Sequence, residues 1–340
     1  MDLMKITKPL LAWYKENARE LPWREDKDPY KIWISEVMLQ QTRIEAVKQY
    51  YTRFMEELPT VSDLATIEEE RLLKLWEGLG YYSRAKNLKK AAEKVMKEYC
   101  GTMPGSYVEL LSLPGIGEYT AGAIASIAYD ERVPAVDGNV LRVVARVKGS
   151  RENVLLPEVK KQVTKELSEI MPEEAGDFNQ ALMELGETVC LPNGIPVCEK
   201  CPLKEFCIAR KEGITAEIPI REKKTERRKE ERNVFLIRCG EEIAIRKRPE
   251  KGLLANLYEF PNFEKKEQSV EDGLAEWGFS VKQIKEKREY KHIFSHVEWK
   301  MSVYEVEVEE KNAEFLWARR EELLEKYPIA SAFAPIVAQL

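Results

Sequence analysis

The predominant spacing of hydrophobic residues along this chain changes after about residue 232. Before that point, apolar residues recur three and four positions apart, which places them on one face of an α-helix. Glycine and proline separate the periodic segments, as at Pro59, Gly78 and Gly101. This pattern predicts an all-helical region, with helices at residues 10–19, 30–41, 43–57, 67–76, 83–99, 118–129, 138–147 and 159–170.

After residue 232, apolar and polar residues alternate, which is typical of β-strands with one buried face. The alternation predicts strands at residues 233–239, 243–248 and 301–309, of which the first two form a hairpin. Helical spacing returns at residues 270–277 and 319–326. The second part of the chain is therefore predicted to be an α+β domain.

The segment that joins the two parts is highly charged, with seven basic and four acidic side chains between residues 221 and 232. This composition favours a linker or a solvent-exposed helix over a packed element. We predict a multidomain protein with a helical domain at residues 1–216, a charged linker at residues 217–232 and a smaller α+β domain at residues 233–340.

The composition of the 340 residues, with 44% hydrophobic and 33% charged, is ordinary for a globular protein. A net charge of −5 argues against a protein that coats nucleic acid indiscriminately, although 54 lysine and arginine residues can form local basic surfaces. No apolar run approaches the roughly 20 residues that a membrane helix needs. The N-terminus lacks the pattern of a signal peptide, so we expect a cytoplasmic protein that makes no membrane contact.

Four of the six cysteines lie close together in the sequence, at Cys190, Cys198, Cys201 and Cys207. In a reducing compartment, this grouping indicates a metal site more than disulfides. Structural zinc sites usually have two closely spaced cysteine pairs and this chain has one, but four thiolates can also hold an iron–sulfur cluster. The residue pattern leaves both metals open.

Two segments suggest a site near the middle of the helical part. Gly115 and Gly117 form a turn before a predicted helix, and exposed amides at such a turn can bind an anion, although most such turns are only structural. Asp137 precedes the next predicted helix. It is either an ordinary N-cap or a catalytic carboxylate. Both histidines, His292 and His296, lie near the C-terminus, so acid–base chemistry in the helical part requires other side chains.

Glu36 lies on a predicted helix among the apolar residues Ile32, Trp33, Val37 and Leu39. Its carboxylate either points to solvent, pairs with a buried arginine, or acts as a proton donor. An unperturbed glutamate with a pKa of ~4.3 is protonated in only about one molecule in 500 at pH 7. Burial among apolar side chains can raise that pKa by up to ~3–5 units, enough to make the acid form common.

Several segments resemble one enzyme family closely. The segments WISEVMLQQT at residues 33–42, GLGYYSRAKNL at 78–88, LPGIGEYTAGAI at 113–124 and VDGNV at 136–140 are similar to the helix-hairpin-helix DNA glycosylases, and in particular to the MutY family of adenine DNA glycosylases. The resemblance implies an enzyme of base excision repair, nucleoid-associated in a bacterium. It would act as a monomer on double-stranded DNA and hydrolyse the N-glycosidic bond of adenine mispaired with 8-oxoguanine or guanine.

The same resemblance assigns roles to individual residues. Glu36 and Asp137 would carry the catalysis, supported by Tyr119 and Asn139. The implied DNA contacts are the hairpin glycines Gly115 and Gly117, Arg24 at the rim of the base pocket, Gln41 and Tyr81 in the base stack, and Gln180 at the adenine edge. The four cysteines would bind a [4Fe–4S] cluster, although their first gap has seven residues where the family commonly has six.

The segment GLLANLYEFPNFE at residues 252–264 resembles the Nudix-like C-terminal domain of the same family. By this resemblance, Phe294, Ser295 and His296 form a loop that recognises 8-oxoguanine. The helix predicted at residues 270–277 lacks the glutamate-rich metal box of Nudix hydrolases, so we predict no pyrophosphatase activity.

Two other functions remain as alternatives. An endonuclease III-like bifunctional glycosylase and lyase for oxidised pyrimidines would use a lysine as a Schiff-base nucleophile. This chain has Tyr119 at the corresponding position, and tyrosine cannot form a Schiff base. A non-catalytic DNA-binding or redox-sensing protein would need neither Glu36 nor Asp137.

Overall fold

The computed structural model describes residues 3–222, 227–266 and 268–340. These residues form two compact units. One unit comprises residues 3–66 and 87–222, and the other comprises residues 67–86 and the described residues from 227 onward. A helical unit and a second unit built around a sheet confirm the predicted fold class, an all-α domain followed by a smaller α+β domain.

Helices account for nearly all the regular structure up to residue 222. In chain order they are α1 (Thr7–Asn17), α2 (Pro29–Leu39), α3 (Ile44–Glu57), α4 (Val61–Thr66), α5 (Glu69–Leu75), α6 (Ser83–Glu98), α7 (Tyr107–Leu111), α8 (Glu118–Tyr129), α9 (Gly138–Lys148), α10 (Pro157–Ser168), α11 (Ala175–Thr188) and α12 (Ile208–Lys211). The prediction located most of these helices but omitted α4, α7, α11 and α12.

The core of the first unit forms where α1, α8, α9 and α11 pack together. Leu10, Val143, Phe178 and Leu182 are almost completely buried there. Helix α2, which packs against α8, begins sharply because the Asp28 carboxylate accepts a hydrogen bond from the backbone N–H of the second helical residue, and Pro29 occupies the first helical position. This packing fixes the relative positions of the helices that carry the candidate catalytic residues.

The second unit is built on a seven-stranded sheet with the order β3-β2-β1-β6-β5, in which β4 also pairs with β1 and β7 with β2. Its elements are β1 (Arg228–Cys239), β2 (Glu242–Lys247), β3 (Tyr258–Glu259), β4 (Asn262–Glu264), α13 (Val270–Glu276), β5 (Val281–Ile293), β6 (Val297–Val308), β7 (Leu316–Ala318), α14 (Arg320–Glu325) and α15 (Ala334–Val337). Strands β1 and β6 are parallel and the other pairs are antiparallel.

The structure differs from the proposed domain boundaries in two places. Strand β1 begins at Arg228, so the last residues of the segment assigned to the linker belong to the sheet, and residues 223–226 lie outside the described residues. Residues 67–86 group with the sheet, because Lys74 donates hydrogen bonds to two backbone carbonyls of the C-terminal region and Glu77 accepts one from the N–H of Ile329. In the described part of the chain, no helix is both long and apolar enough to cross a membrane.

Candidate active site and cysteine loop

An open cleft of about 1160 Å³ lies in the first unit. Its walls come from α2, the turn before α8, the first residues of α8 and α9, and one face of α11. Nine of the predicted site residues line it: Arg24, Glu36, Gln41, Gly115, Gly117, Tyr119, Asp137, Asn139 and Gln180. The fold therefore gathers these residues into one place from positions spread over more than 150 residues of sequence.

Glu36 lies in the wall of this cleft with only 7% of its surface exposed. Its Oε2 accepts a hydrogen bond of 2.5 Å from the Tyr119 hydroxyl. The pKa of Glu36 is raised to about 7, mainly by burial. The hydrogen bond from Tyr119 lowers this pKa, the Asp137 carboxylate raises it, and the charge of Arg24 lowers it. At neutral pH this carboxyl group can therefore both give and take a proton.

Tyr119 lies in the first turn of α8, beside Glu36. Its hydroxyl oxygen is also 3.1 Å from the sulfur of Met183. Burial and the neighbouring Glu36 carboxylate raise the pKa of Tyr119 well above its ordinary value. The phenol therefore stays protonated and remains a hydrogen-bond donor towards Glu36.

Asp137 is the N-cap of α9, and its side chain also faces the cleft. Oδ1 accepts a hydrogen bond of 2.8 Å from the backbone N–H of Val140, and Oδ2 accepts one of 2.8 Å from the Asn139 amide. Burial raises the pKa of Asp137, although these hydrogen bonds act in the opposite direction. The capping role considered from the sequence is thus present, and it orients the carboxylate in the cleft.

Hydrogen bonds connect Asp137 with the start of the cysteine loop. The Asn139 side-chain oxygen accepts a hydrogen bond from Arg142 Nη2 at 2.8 Å, and Arg142 Nε donates to the Cys190 carbonyl at 2.8 Å. Asn139 also packs against Gly186, where an added Cβ would lie only 2.6 Å from the Asn139 Cβ. The side chain of Asn139 is therefore held from two sides.

The two hairpin glycines differ in their structural roles. Gly115 has φ +76°, and an added Cβ there would lie 2.5 Å from the Cβ of Asn87, so both its backbone angle and its close packing require glycine. Gly117 has φ −96°, and an added Cβ would meet nothing within 4 Å. Within the protein, only Gly115 is therefore required to be glycine, and the proposed contact of both glycines with DNA stays a prediction. Gln41, in contrast, has φ 60°, which is unusual for a residue with a side chain.

Several residues of the cleft were not predicted from the sequence, among them Met183, Glu184, Glu187 and Arg19. The first three lie on α11 at positions three, four and seven after Gln180, so the helical spacing that follows Gln180 could have identified them. Arg19 has no comparable sequence signal. It comes to the cleft by its pairing with Glu184 across 165 residues of chain.

The four cysteines of the loop surround a separate small cavity with a volume of about 20 Å³. Its remaining walls include the apolar residues Val143, Leu185 and Leu203. Burial and, to a smaller extent, the charges of the other three cysteines raise the pKa of the Cys201 thiol to about 12. Within residues 3–222, 227–266 and 268–340, no group of three or more His, Cys, Asp or Glu side chains is arranged to hold a single metal ion.

In the second unit, the predicted recognition residues form the turn between β5 and β6. The backbone N–H of Phe294 donates to the Val297 carbonyl at 2.8 Å, and the Phe294 ring packs edge-on against Trp299. Ser295 and His296 are exposed. The Ser295 hydroxyl lies 2.8 Å from the hydroxyl of Tyr81, whose side chain is 46% exposed.

Comparison with known proteins agrees with this geometry. Residues 34–173 match the model of the HhH-GPD superfamily base excision DNA repair proteins, and residues 233–339 match the NUDIX domain model. The adenine DNA glycosylase of Rattus norvegicus is 33% identical over 91% of this chain and 71% of that protein. A thermostable thymine-DNA glycosylase structure is 29% identical with a TM-score of 0.56, and a non-covalent endonuclease III–DNA complex is 27% identical with a TM-score of 0.52. Each of these two matches covers 62% of this chain and 97% of the chain in the matched structure.

The fold and the cleft define a helix-hairpin-helix DNA glycosylase, an enzyme that hydrolyses N-glycosyl bonds in DNA. The sequence identity to the rat enzyme extends over nearly the whole chain and shows to which family within this class the chain belongs. The chain belongs to the adenine DNA glycosylase family, which acts in base excision repair by removing adenine.

Proposed function

We propose that the protein removes adenine mispaired with 8-oxoguanine, and also adenine opposite guanine, and that it does so as a monomer on double-stranded DNA. The observation that carries this proposal is the pair of carboxyl groups in one cleft. Glu36 has a pKa of about 7 and the pKa of Asp137 is also raised, although Asp137 is held by hydrogen bonds to Val140 and Asn139. Two carboxyl groups in different environments can divide acid and electrostatic roles between them.

In the proposed reaction, adenine is flipped out of the duplex into the cleft, where Gln180 contacts its edge. Gln41 and Tyr81 enter the vacated base stack and offset part of the cost of unstacking, a few kcal/mol. Glu36 gives its proton to the base while the electrons of the N-glycosidic bond move to the base. The sugar is left as an oxocarbenium-like cation.

Asp137 then either stabilises this cation or bonds to it in a short-lived covalent intermediate. The deprotonated Glu36 takes a proton from the attacking water, which restores the acid form for the next cycle. Tyr119 and Asn139 keep the two carboxyl groups in place through the hydrogen bonds described above. Because Tyr119 cannot form a Schiff base, strand cleavage should require added alkali.

Recognition of 8-oxoguanine is assigned to the turn formed by Phe294, Ser295 and His296. Two features support this assignment: the exposure of Ser295 and His296, and the proximity of the Ser295 hydroxyl to that of Tyr81, the residue proposed to enter the base stack. A serine hydroxyl can donate to or accept from a base edge, so Ser295 is suited to reading the base opposite adenine.

The four loop cysteines are proposed to hold a [4Fe–4S] cluster. Two observations support this proposal: the four thiols line one small cavity with apolar walls, and four cysteine thiolates are the usual ligand set of such a cluster. The cluster would cross-link the loop and support the adjacent backbone. No step of base removal passes through it.

Single-turnover base release from four labelled duplexes tests the proposed function. The duplexes contain adenine opposite 8-oxoguanine, guanine or thymine, and thymine glycol opposite adenine. We expect alkali-dependent cleavage at adenine opposite 8-oxoguanine and guanine, and none opposite thymine. Alkali-independent cleavage at thymine glycol would instead indicate a lyase, and no release from any duplex would contradict a catalytic role.

The variant Ser295→Ala tests the recognition loop separately. It should reduce the preference for adenine opposite 8-oxoguanine over adenine opposite guanine, and leave the guanine-paired rate nearly unchanged. Ser168→Ala is the matched control, because Ser168 is an exposed serine on α10 whose hydroxyl donates to the Thr164 carbonyl of its own helix. Equal preferences in Ser295→Ala and wild type would remove Ser295 from the recognition site.

A further inference from the structure

Glu184 is a fully buried acidic residue in the wall of the cleft, and the proposed reaction does not use it. Its side chain has 0% exposure. Both carboxylate oxygens contact Arg19, with Nη2 to Oε2 at 3.1 Å and a shorter contact from Nε to Oε1. Arg24 Nη2 donates to Oε2 at 2.9 Å. One carboxylate therefore anchors two arginines.

Arg24 is held on several sides. Its Nη1 also donates to the Arg19 carbonyl at 3.2 Å, and its guanidinium lies 5.7 Å from the centre of the Tyr14 ring. Only 18% of its side chain is exposed. An arginine fixed in this way keeps its charge at a constant position relative to the cleft, where a mobile surface arginine would not.

The charge of Glu184 matters because Glu36 faces groups of both signs. Glu36 faces Tyr119 of α8, Asp137 at the start of α9, and Arg24. The cleft is also lined by Glu184 and Glu187, which lie on α11. The outer part of the same cleft is lined by Arg19, Arg43, Glu45, Glu118 and Lys160. Among these groups, Arg24 is the cation that favours the deprotonated form of Glu36.

We propose that Glu184 is a positioning residue for base removal, because it fixes Arg24 and Arg19 and offsets their positive charge, and so allows Glu36 to keep the proton that it gives to the base. Burial raises the pKa of Glu184, but the hydrogen bonds and charges of Arg19 and Arg24 outweigh it and lower the pKa overall. Glu184 is thus ionised at the pH at which Glu36 titrates. The inference rests on the proposed role of Glu36 as the acid.

The test is the pH dependence of single-turnover base release in Glu184→Gln. Glutamine keeps the shape of the side chain and removes the charge. The rate should fall with rising pH as Glu36 loses its proton, which gives the pH–rate profile a descending limb. In Glu184→Gln this limb should lie at least about half a pH unit lower than in the wild type. At pH 8 the rate of the variant should therefore be about threefold lower. A purely structural ion pair would lower stability and leave the position of the limb unchanged.

Glu259→Gln is the matched control. Glu259 is also buried, at 2% exposure, and accepts hydrogen bonds from Arg246 and Arg248, but it belongs to the other compact unit. Its substitution should leave the limb where it is in the wild type. In the double variant Glu184→Gln/Arg24→Gln, the arginine that would have lost its carboxylate partner is also removed. The descending limb of the double variant should therefore lie at the wild-type pH or above it. This measurement tests the inference even if Glu184→Gln alone folds poorly.

An unmoved limb in Glu184→Gln, or a double variant with its limb below that of the wild type, would overturn the inference. A wild-type enzyme with no descending limb near neutral pH would remove the proposed role of Glu36, and this inference with it. The two failures are therefore distinguishable in one set of measurements.

Discussion

Replacing Glu36 by glutamine should greatly slow base release and at the same time stabilise the folded protein above pH 7. The fold raises the pKa of Glu36 from its ordinary value of 4.5 to about 7, mainly by burial. Between these pH values the folded state holds the proton more tightly than the unfolded state does. The stability associated with this group is therefore complete below about pH 4.5 and is lost as the pH rises through about 7.

The size of the effect follows from the shift of about 2.5 pKa units. At pH 8, burying the ionised carboxylate costs about 3 kcal/mol, and at pH 5 less than about 1 kcal/mol. Glutamine carries no charge and still offers an oxygen to the Tyr119 hydroxyl, so Glu36→Gln should recover most of that difference. Loss of the acid should reduce base release by about 10²- to 10⁴-fold.

Hydrogen exchange in α2 is the appropriate stability measurement, because the chain has two compact units that need not unfold together. The free energy of opening obtained from exchange of α2 amides should be higher in Glu36→Gln than in the wild type. The difference should be about 3 kcal/mol at pH 8 and less than about 1 kcal/mol at pH 5. Glu45→Gln serves as control, because the Glu45 side chain is 81% exposed. A gain of equal size at both pH values would refute the reasoning.

Three further predictions concern other residues. Asp137→Asn should lower base release by about 10²-fold or more, but cost less than about 1 kcal/mol in thermal unfolding, because asparagine also caps α9. Tyr119→Phe removes a hydrogen bond that lowers the pKa of Glu36, so the descending limb of the pH–rate profile should move to higher pH. Cys201→Ser should reduce the iron bound per molecule, measured after reconstitution, whereas Cys239→Ser should not.

Local sequence patterns predicted part of the active site well. Burial of Glu36 was one of the alternatives left open by its apolar neighbours Ile32, Trp33 and Val37 on the same helix, and in the structure all four residues are buried. Helix α8 spans the predicted residues, and Asp137 caps α9 at its predicted start. These features depend on neighbours within one or two helical turns, and local sequence determines such neighbours.

Features that depend on distant parts of the chain could not be predicted in this way. Glu184 pairs with Arg19 and Arg24 across 165 and 160 residues, and no local pattern specifies such a pair. Strand β5 was missed because seven of its 13 residues are charged, which hides the alternation. It lies at the edge of the sheet, where charged side chains discourage pairing with another chain.

Protonation of the departing adenine by Glu36 is the central step of the proposed mechanism. The most direct test is the single-turnover rate of wild-type enzyme on adenine opposite 8-oxoguanine between pH 5 and pH 9. We predict a rate that falls with rising pH, with a kinetic pKa near 7 that is absent from the residual activity of Glu36→Gln. A rate that stays constant across neutral pH, or an unchanged profile in Glu36→Gln, would contradict the proposed mechanism.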